Sequence, residues 1–157
     1  AQTVPHTAMA VAFDCGDPTN VHPVNKQPVA DRLALIARAG SYGENLEWSG
    51  PQLRSWRIQG GSIVLQFDHA AGGLVSSDGH ALKLFTVAGA NRRFFPATAS
   101  ISNHALIVSA PQVPQPVAAR YAWVPTGDIN FYNGAGLPAS PFRTDDWTII
   151  ELGSNTP

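Results

Sequence analysis

At 157 residues the chain is long enough for one domain with a sizeable core, or for one domain and part of another. Apolar residues make up 44% of it and charged residues only 13%, which excludes an intrinsically disordered chain. A formal charge of −1 removes any electrostatic case for nucleic acid or an acidic membrane surface, and the longest apolar runs are too short to cross a bilayer.

The first element in chain order is residues 8–13, Ala-Met-Ala-Val-Ala-Phe, apolar on both faces of any extended segment. That pattern predicts a strand in the middle of a parallel sheet, covered by helices on both sides. The polar turn Asp14-Cys15-Gly16-Asp17-Pro18-Thr19-Asn20 ends it. After Val21-His22-Pro23 the signals predict a helix, with Asn25 as cap, Pro28 in the first turn and Gly40 at the end. Val29, Leu33, Ile36, Ala37 and Gly40 fall on one face, and Asp31 and Arg38 match the helix dipole. One strand and one helix do not make a domain. Residues 1–43 therefore read as the last βα piece of a larger α/β domain, whose other strands lie on sequence before Ala1 or on a second chain. No signal peptide is visible at the N-terminus.

From residue 44 the pattern changes to short alternating strands, and residues 44–157 read as an antiparallel β-sandwich. Trp56 and Ile58 precede a Gly60-Gly61 hairpin turn, and Ile63, Leu65 and Phe67 alternate after it. Residues 82–88 predict another strand, and Asn103-His104 predicts a second hairpin between 98–101 and 105–109. Val117, Ala119, Tyr121 and Trp123 alternate cleanly. Residues 130–147 are Gly/Pro-rich and aromatic, too irregular for a strand, and predict a segment wrapped over a surface.

Five histidines are candidates for chemistry: His6, His22, His69, His80 and His104. His22 stands out, because it follows the C-terminal end of the predicted parallel strand, where open α/β sheets place their ligand sites. Asp14, Asp17 and Asn20 precede it, any of which could hold one ring nitrogen. A His oriented by a carboxylate is the general base for a serine nucleophile. His69 and His80 read as surface-loop residues, and Asp145-Asp146 as turn caps. The single Cys15 cannot form an intrachain disulfide and reads as a small buried filler. Trp56 and Trp123 read as core; Trp48 and Trp147 lie in loops and stay open as sugar-stacking residues.

Several blocks together resemble the C-terminal portion of the sialate O-acetylesterase family, which includes acetylxylan esterases. They are Asp14-Cys15-Gly16-Asp17-Pro18, Val21-His22-Pro23 with Asn25-Lys26, Arg32-Leu33-Ala34 and Tyr42-Gly43. Phe67-Asp68-His69-Ala70, Arg120-Tyr121-Ala122-Trp123 and the run from Gly136-Leu137-Pro138-Ala139-Ser140-Pro141 through Phe142-Arg143-Thr144-Asp145-Asp146-Trp147 complete the set. The resemblance implies a mixed fold: the last strand and helix of an SGNH-type, flavodoxin-like α/β hydrolase domain, then a β-sandwich accessory domain. It implies removal of acetyl groups from sugar hydroxyls, with His22 as general base and no metal or organic cofactor. The Ser nucleophile and the oxyanion-hole residues belong to blocks outside this chain, so the chain alone is expected to be inactive. SGNH enzymes commonly place the acid three residues before the His, where this sequence has Thr19; Asp17 is chosen instead, with Asp14 and Asn20 as rivals. The expected partners are an acetylated carbohydrate and the N-terminal remainder of the same enzyme, on one precursor or a second chain, in a secreted or periplasmic location. The competing reading is a non-catalytic carbohydrate-binding or structural sandwich.

Overall fold

The computed structural model describes residues 4–148 apart from Pro18 and Val21, so those two positions of the predicted turn, and the tail of the predicted sandwich, lie outside the described residues. A single 3-10 turn, Phe13–Cys15, and one helix, α1 (Gln27–Gly40), precede ten strands. One four-stranded sheet has the order β1 (Gln52–Gln59), β2 (Ser62–Asp68), β7 (Ala105–Ser109), β6 (Thr98–Ser102). The other has the order β10 (Phe142–Arg143), β8 (Ala118–Tyr121), β4 (Phe85–Ala88), β5 (Phe94–Pro96). A two-stranded ribbon pairs β3 (Leu74–Ser76) with β9 (Phe131–Asn133). Every pairing of these strands is antiparallel.

Both predicted hairpins form. Gln59 pairs with Ser62 around Gly60, whose φ of 57° is the left-handed backbone a two-residue loop demands. Ser102 pairs with Ala105 around Asn103 and His104, at φ 47° and 61°. Two successive positive φ values are the signature of the hairpin turn whose twist matches its strands.

The two sheets share one core. Ile63, Leu65 and Phe67 of β2 enter it from one side, and Phe85, Val87, Ala119 and Tyr121 of β4 and β8 from the other. Phe131 of β9 lies at its centre, with ring centroids 5.2 Å from Phe67, 5.6 Å from Tyr121 and 5.8 Å from Phe85. Phe142 of β10 adds a further ring 5.6 Å from Phe67. Each such side chain removed from water contributes about 1.5–3 kcal/mol.

Residues 8–13 pair with no neighbour among the described residues and so form no strand there, a strand being defined by a ladder to a neighbour. Three sequence-based expectations need correction. Asn25 is not the helix cap: Lys26 occupies that place, and the Asn25 side chain instead accepts the Gln27 N–H. Trp56 and Ile58 face the same way as buried Leu65 and Ile63, but β1 is an edge strand, so 41% and 49% of them stays exposed. Trp123, beyond the end of β8, is exposed too. Finally, residues 130–147 are not a surface wrap; they carry β9 and β10 and supply two rings to the core.

Candidate functional site

The loop that carries His22 is built from short side-chain turns. Asp17 Oδ1 accepts the Thr19 N–H at 2.8 Å and the Thr19 hydroxyl at 2.7 Å. The Thr19 hydroxyl, and then its amide, hold the Asp17 carboxyl below the usual carboxylate range. Asn20 Oδ1 accepts the His22 N–H at 2.9 Å. The structure thus gathers Asp17, Asn20 and His22 into one short exposed loop. It does not join the Asp17 carboxylate to the imidazole, which has no hydrogen-bond partner among the described residues.

Asp14, the first rival acid, is occupied elsewhere. Arg32, the one buried residue of α1, donates to it from Nη1 at 2.7 Å and Nη2 at 2.6 Å, a two-pronged grip, and from Nη1 also to the Val11 carbonyl at 2.6 Å. The Tyr132 hydroxyl of β9 donates to the same carboxylate at 2.9 Å. Burial pushes the Asp14 carboxyl up, but the hydrogen bonds from Arg32 and Tyr132 outweigh it and hold it below the usual range. Asp14 is therefore a pin between helix, N-terminal segment and β-sheet body. Beside it, burial and then the Asp14 carboxylate push the Cys15 thiol up, which is the reverse of what a thiolate nucleophile needs.

The rest of α1 finds little cover. Leu33, on its predicted apolar face, is 52% exposed, and Met9 on the neighbouring segment is 64% exposed.

A second histidine is better oriented than His22. His69 Nδ1 lies 2.8 Å from Glu47 Oε1, and the Trp48 ring meets the imidazole edge-on at a centroid distance of 4.6 Å. Buried Asn133 holds this corner together by donating to the carbonyls of Ser49 and His69, both at 2.9 Å, while its own carbonyl accepts the Leu137 N–H. His69 sits at φ 56°, in the left-handed region. His69 of this pair lines a cleft of about 740 Å³ whose wall also includes Trp48, Arg54, Asp68, Ser140 and Met9. Sequence reasoning left His69 in a surface loop, because Glu47 lies 22 residues away and no spacing rule links them. The hairpin register was the available signal: Gln52 pairs with Asp68, which brings the approach to β1 alongside the exit from β2.

His80 lies in an exposed turn whose amide donates to Asp78. Asp145 is no turn cap: its side chain is 1% exposed and takes both arms of the Arg120 fork at 2.8 Å. Trp147, the other open tryptophan, packs beside Phe94 and under the Arg92 guanidinium.

No family model matches the chain. Among curated proteins it is similar to the sialate O-acetylesterase of Mus musculus, 31% identical over 154 residues, and to that of Pongo abelii, 32% identical over 155 residues. Each match covers 88% of this chain but only 28% and 29% of those proteins. Among solved structures it resembles a carbohydrate acetylesterase from Xanthomonas citri, with a TM-score of 0.85 and 46% identity, over 88% of this chain and 32% of that one. The chain thus spans less than a third of the length of the proteins it matches.

Proposed function

We propose that this chain, similar to sialate O-acetylesterases over 88% of its length, is the C-terminal portion of a carbohydrate O-acetylesterase whose serine nucleophile lies outside it. The observation that carries the reading is the unmet N-terminal arm. Residues 8–13 are apolar but unpaired, α1 leaves Leu33 in water, and the Arg32–Asp14–Tyr132 pin nevertheless ties the arm to the body. Such an arm fits the last strand and helix of an SGNH-type domain completed by preceding sequence or a second chain.

In the complete enzyme the His22 imidazole takes the proton from the serine hydroxyl as its oxygen attacks the acetyl carbonyl. The imidazolium then returns that proton to the departing sugar oxygen. Water, deprotonated by the same His22, attacks the acetyl-serine, and acetate leaves as the serine is restored. Asp17 is the carboxylate assigned to orient His22: it is exposed, its side-chain partner is Thr19 two residues on, and it lies five residues away in the same loop. Asp17 is preferred to Asp14, whose carboxylate is already engaged by Arg32 and Tyr132. A secreted or periplasmic location belongs to the same reading.

The test is acetate release from an O-acetylated sugar by the complete enzyme. His22→Ala should lower kcat by on the order of ten-thousand-fold or more, and Asp17→Asn should lower it strongly with the fold intact. Wild-type turnover in His22→Ala would overturn the assignment. The 157-residue chain alone should not exceed free imidazole on p-nitrophenyl acetate.

A further inference from the structure

We propose that the cleft beside the Glu47–His69 pair is a binding subsite for a neutral pyranose, separate from the His22 loop. The class of ligand rests on the carbohydrate-esterase reading; the existence of a built site rests on the geometry alone.

Glu47 and His69 are both largely withdrawn from water, with side chains 18% and 24% exposed, at a position where the aromatic core does not need them. The carboxylate beside Nδ1 favours an N–H on that nitrogen and leaves Nε2 for a ligand hydroxyl, as acceptor in the neutral ring and as donor in the charged one. Across the same cleft, Arg54 and Asp68 lie 3.5 Å apart and offer a donor and an acceptor side by side, and the Ser140 hydroxyl can serve as either. A sugar hydroxyl is itself both donor and acceptor, so it can bridge such a pair, and vicinal hydroxyls can use two groups at once. Trp48 supplies an apolar wall for the carbon–hydrogen face of a ring. A wall that mixes these convergent polar groups with Trp48, Met9, Leu53 and Pro141, in a volume of about 740 Å³, suits a small ligand with both hydroxyls and a carbon–hydrogen face.

The charges decide between sugars. The Arg54 guanidinium already faces the Asp68 carboxylate, and Glu47 adds a second negative charge near His69. An anionic sugar would meet no uncompensated cation here, whereas a neutral one loses nothing.

The experiment is an NMR titration of the 157-residue chain with xylotriose as the neutral probe and N-acetylneuraminic acid as the charged one. The His69 ring and Trp48 indole signals are followed. Xylotriose should shift both saturably, with a dissociation constant on the order of 1 mM. His69→Asn, which tolerates the left-handed backbone, and Trp48→Ala should each weaken binding by roughly tenfold or more while the core signals stay in place. Absence of a saturable shift overturns the proposal, as do equal shifts in both variants. Tighter binding of N-acetylneuraminic acid overturns the neutral-sugar assignment. No acetyl group is turned over in this titration, so its failure leaves the esterase reading standing, and an active His22→Ala enzyme would leave the cleft standing.

Discussion

The N-terminal arm, residues 4–43, and the β-sheet body that follows treat similar apolar sequence in opposite ways. The body buries its aliphatic and aromatic residues against one another, so that Ile63, Leu65, Leu106 and Phe131 are all fully out of water. The arm contains Val4, Met9, Val24 and Leu33, and each is exposed. The arm has no partner layer within the described chain, and its one well-buried side chain is a cation, Arg32, held by a carboxylate. The difference teaches that composition measures how much apolar surface a sequence offers. Whether that surface is buried depends on what the chain can place opposite it.

The sharpest way to break the comparison is to truncate one large side chain in each region. Phe131→Ala should cost about 3–5 kcal/mol in chemical denaturation, while Leu33→Ala should stay within about 0.5 kcal/mol. An equally large loss at Leu33 would mean that α1 buries its face and that the two regions are alike. Glycines give a second contrast. A Cβ at Gly134 would sit 2.5 Å from the Gly72 carbonyl oxygen, whereas one at Gly40 meets nothing within 4 Å. Gly134→Ala should therefore cost about 1–3 kcal/mol, and Gly40→Ala should be neutral or stabilise by a few tenths, by thermal melting.

A third variant separates the regions. Arg32→Ala leaves the Asp14 carboxylate without its guanidinium, a local cost of about 1–3 kcal/mol. Amide exchange should speed up across residues 8–17 and remain slow at 63–67. Equally faster exchange at residues 63–67, or no change in the arm, would count against the pin. The smallest effect is pH-dependent. Asp14 and Asp145 both have folded-state pKa values below their unfolded ones, the first through Arg32 and Tyr132 against burial, the second through Arg120. Their stabilisation is complete above the unfolded carboxylate value near 3.9 and is lost as pH falls through the lower folded values. Acid titration should loosen the arm and soften the body in that window, and Asp145→Asn should flatten only the body's share.

Much of the body was legible because its signals are local. The Gly60-Gly61 and Asn103-His104 turns need only their own residues, and the alternation of Ile63, Leu65 and Phe67 reads directly as a buried face. Alternation could not tell a central strand from an edge, which is why Trp56 read as core. The aromatic segment containing Phe131 and Phe142 was misread because its strands are two and three residues long, too short to show a period. At the candidate site the His22 loop was legible from its turn residues. The Arg32–Asp14–Tyr132 and Glu47–His69 contacts were not, since both join residues far apart in sequence through the fold alone.

The bond from Tyr132 to Asp14 spans 118 positions, and that separation has a kinetic consequence. The arm leaves the ribosome before the body does, and its anchor on β9 appears only when the chain has grown past residue 132. At about 5–20 residues per second, the Asp14 carboxylate waits roughly 6–24 s for that hydroxyl. The body waits for the same stretch, since Phe131 and Phe142 close its core. During that interval the first hairpin can form by itself, but the arm's apolar residues and the open sheets are exposed together. The risk of misassembly is therefore set by the last third of the chain, and slower synthesis there lengthens the vulnerable period.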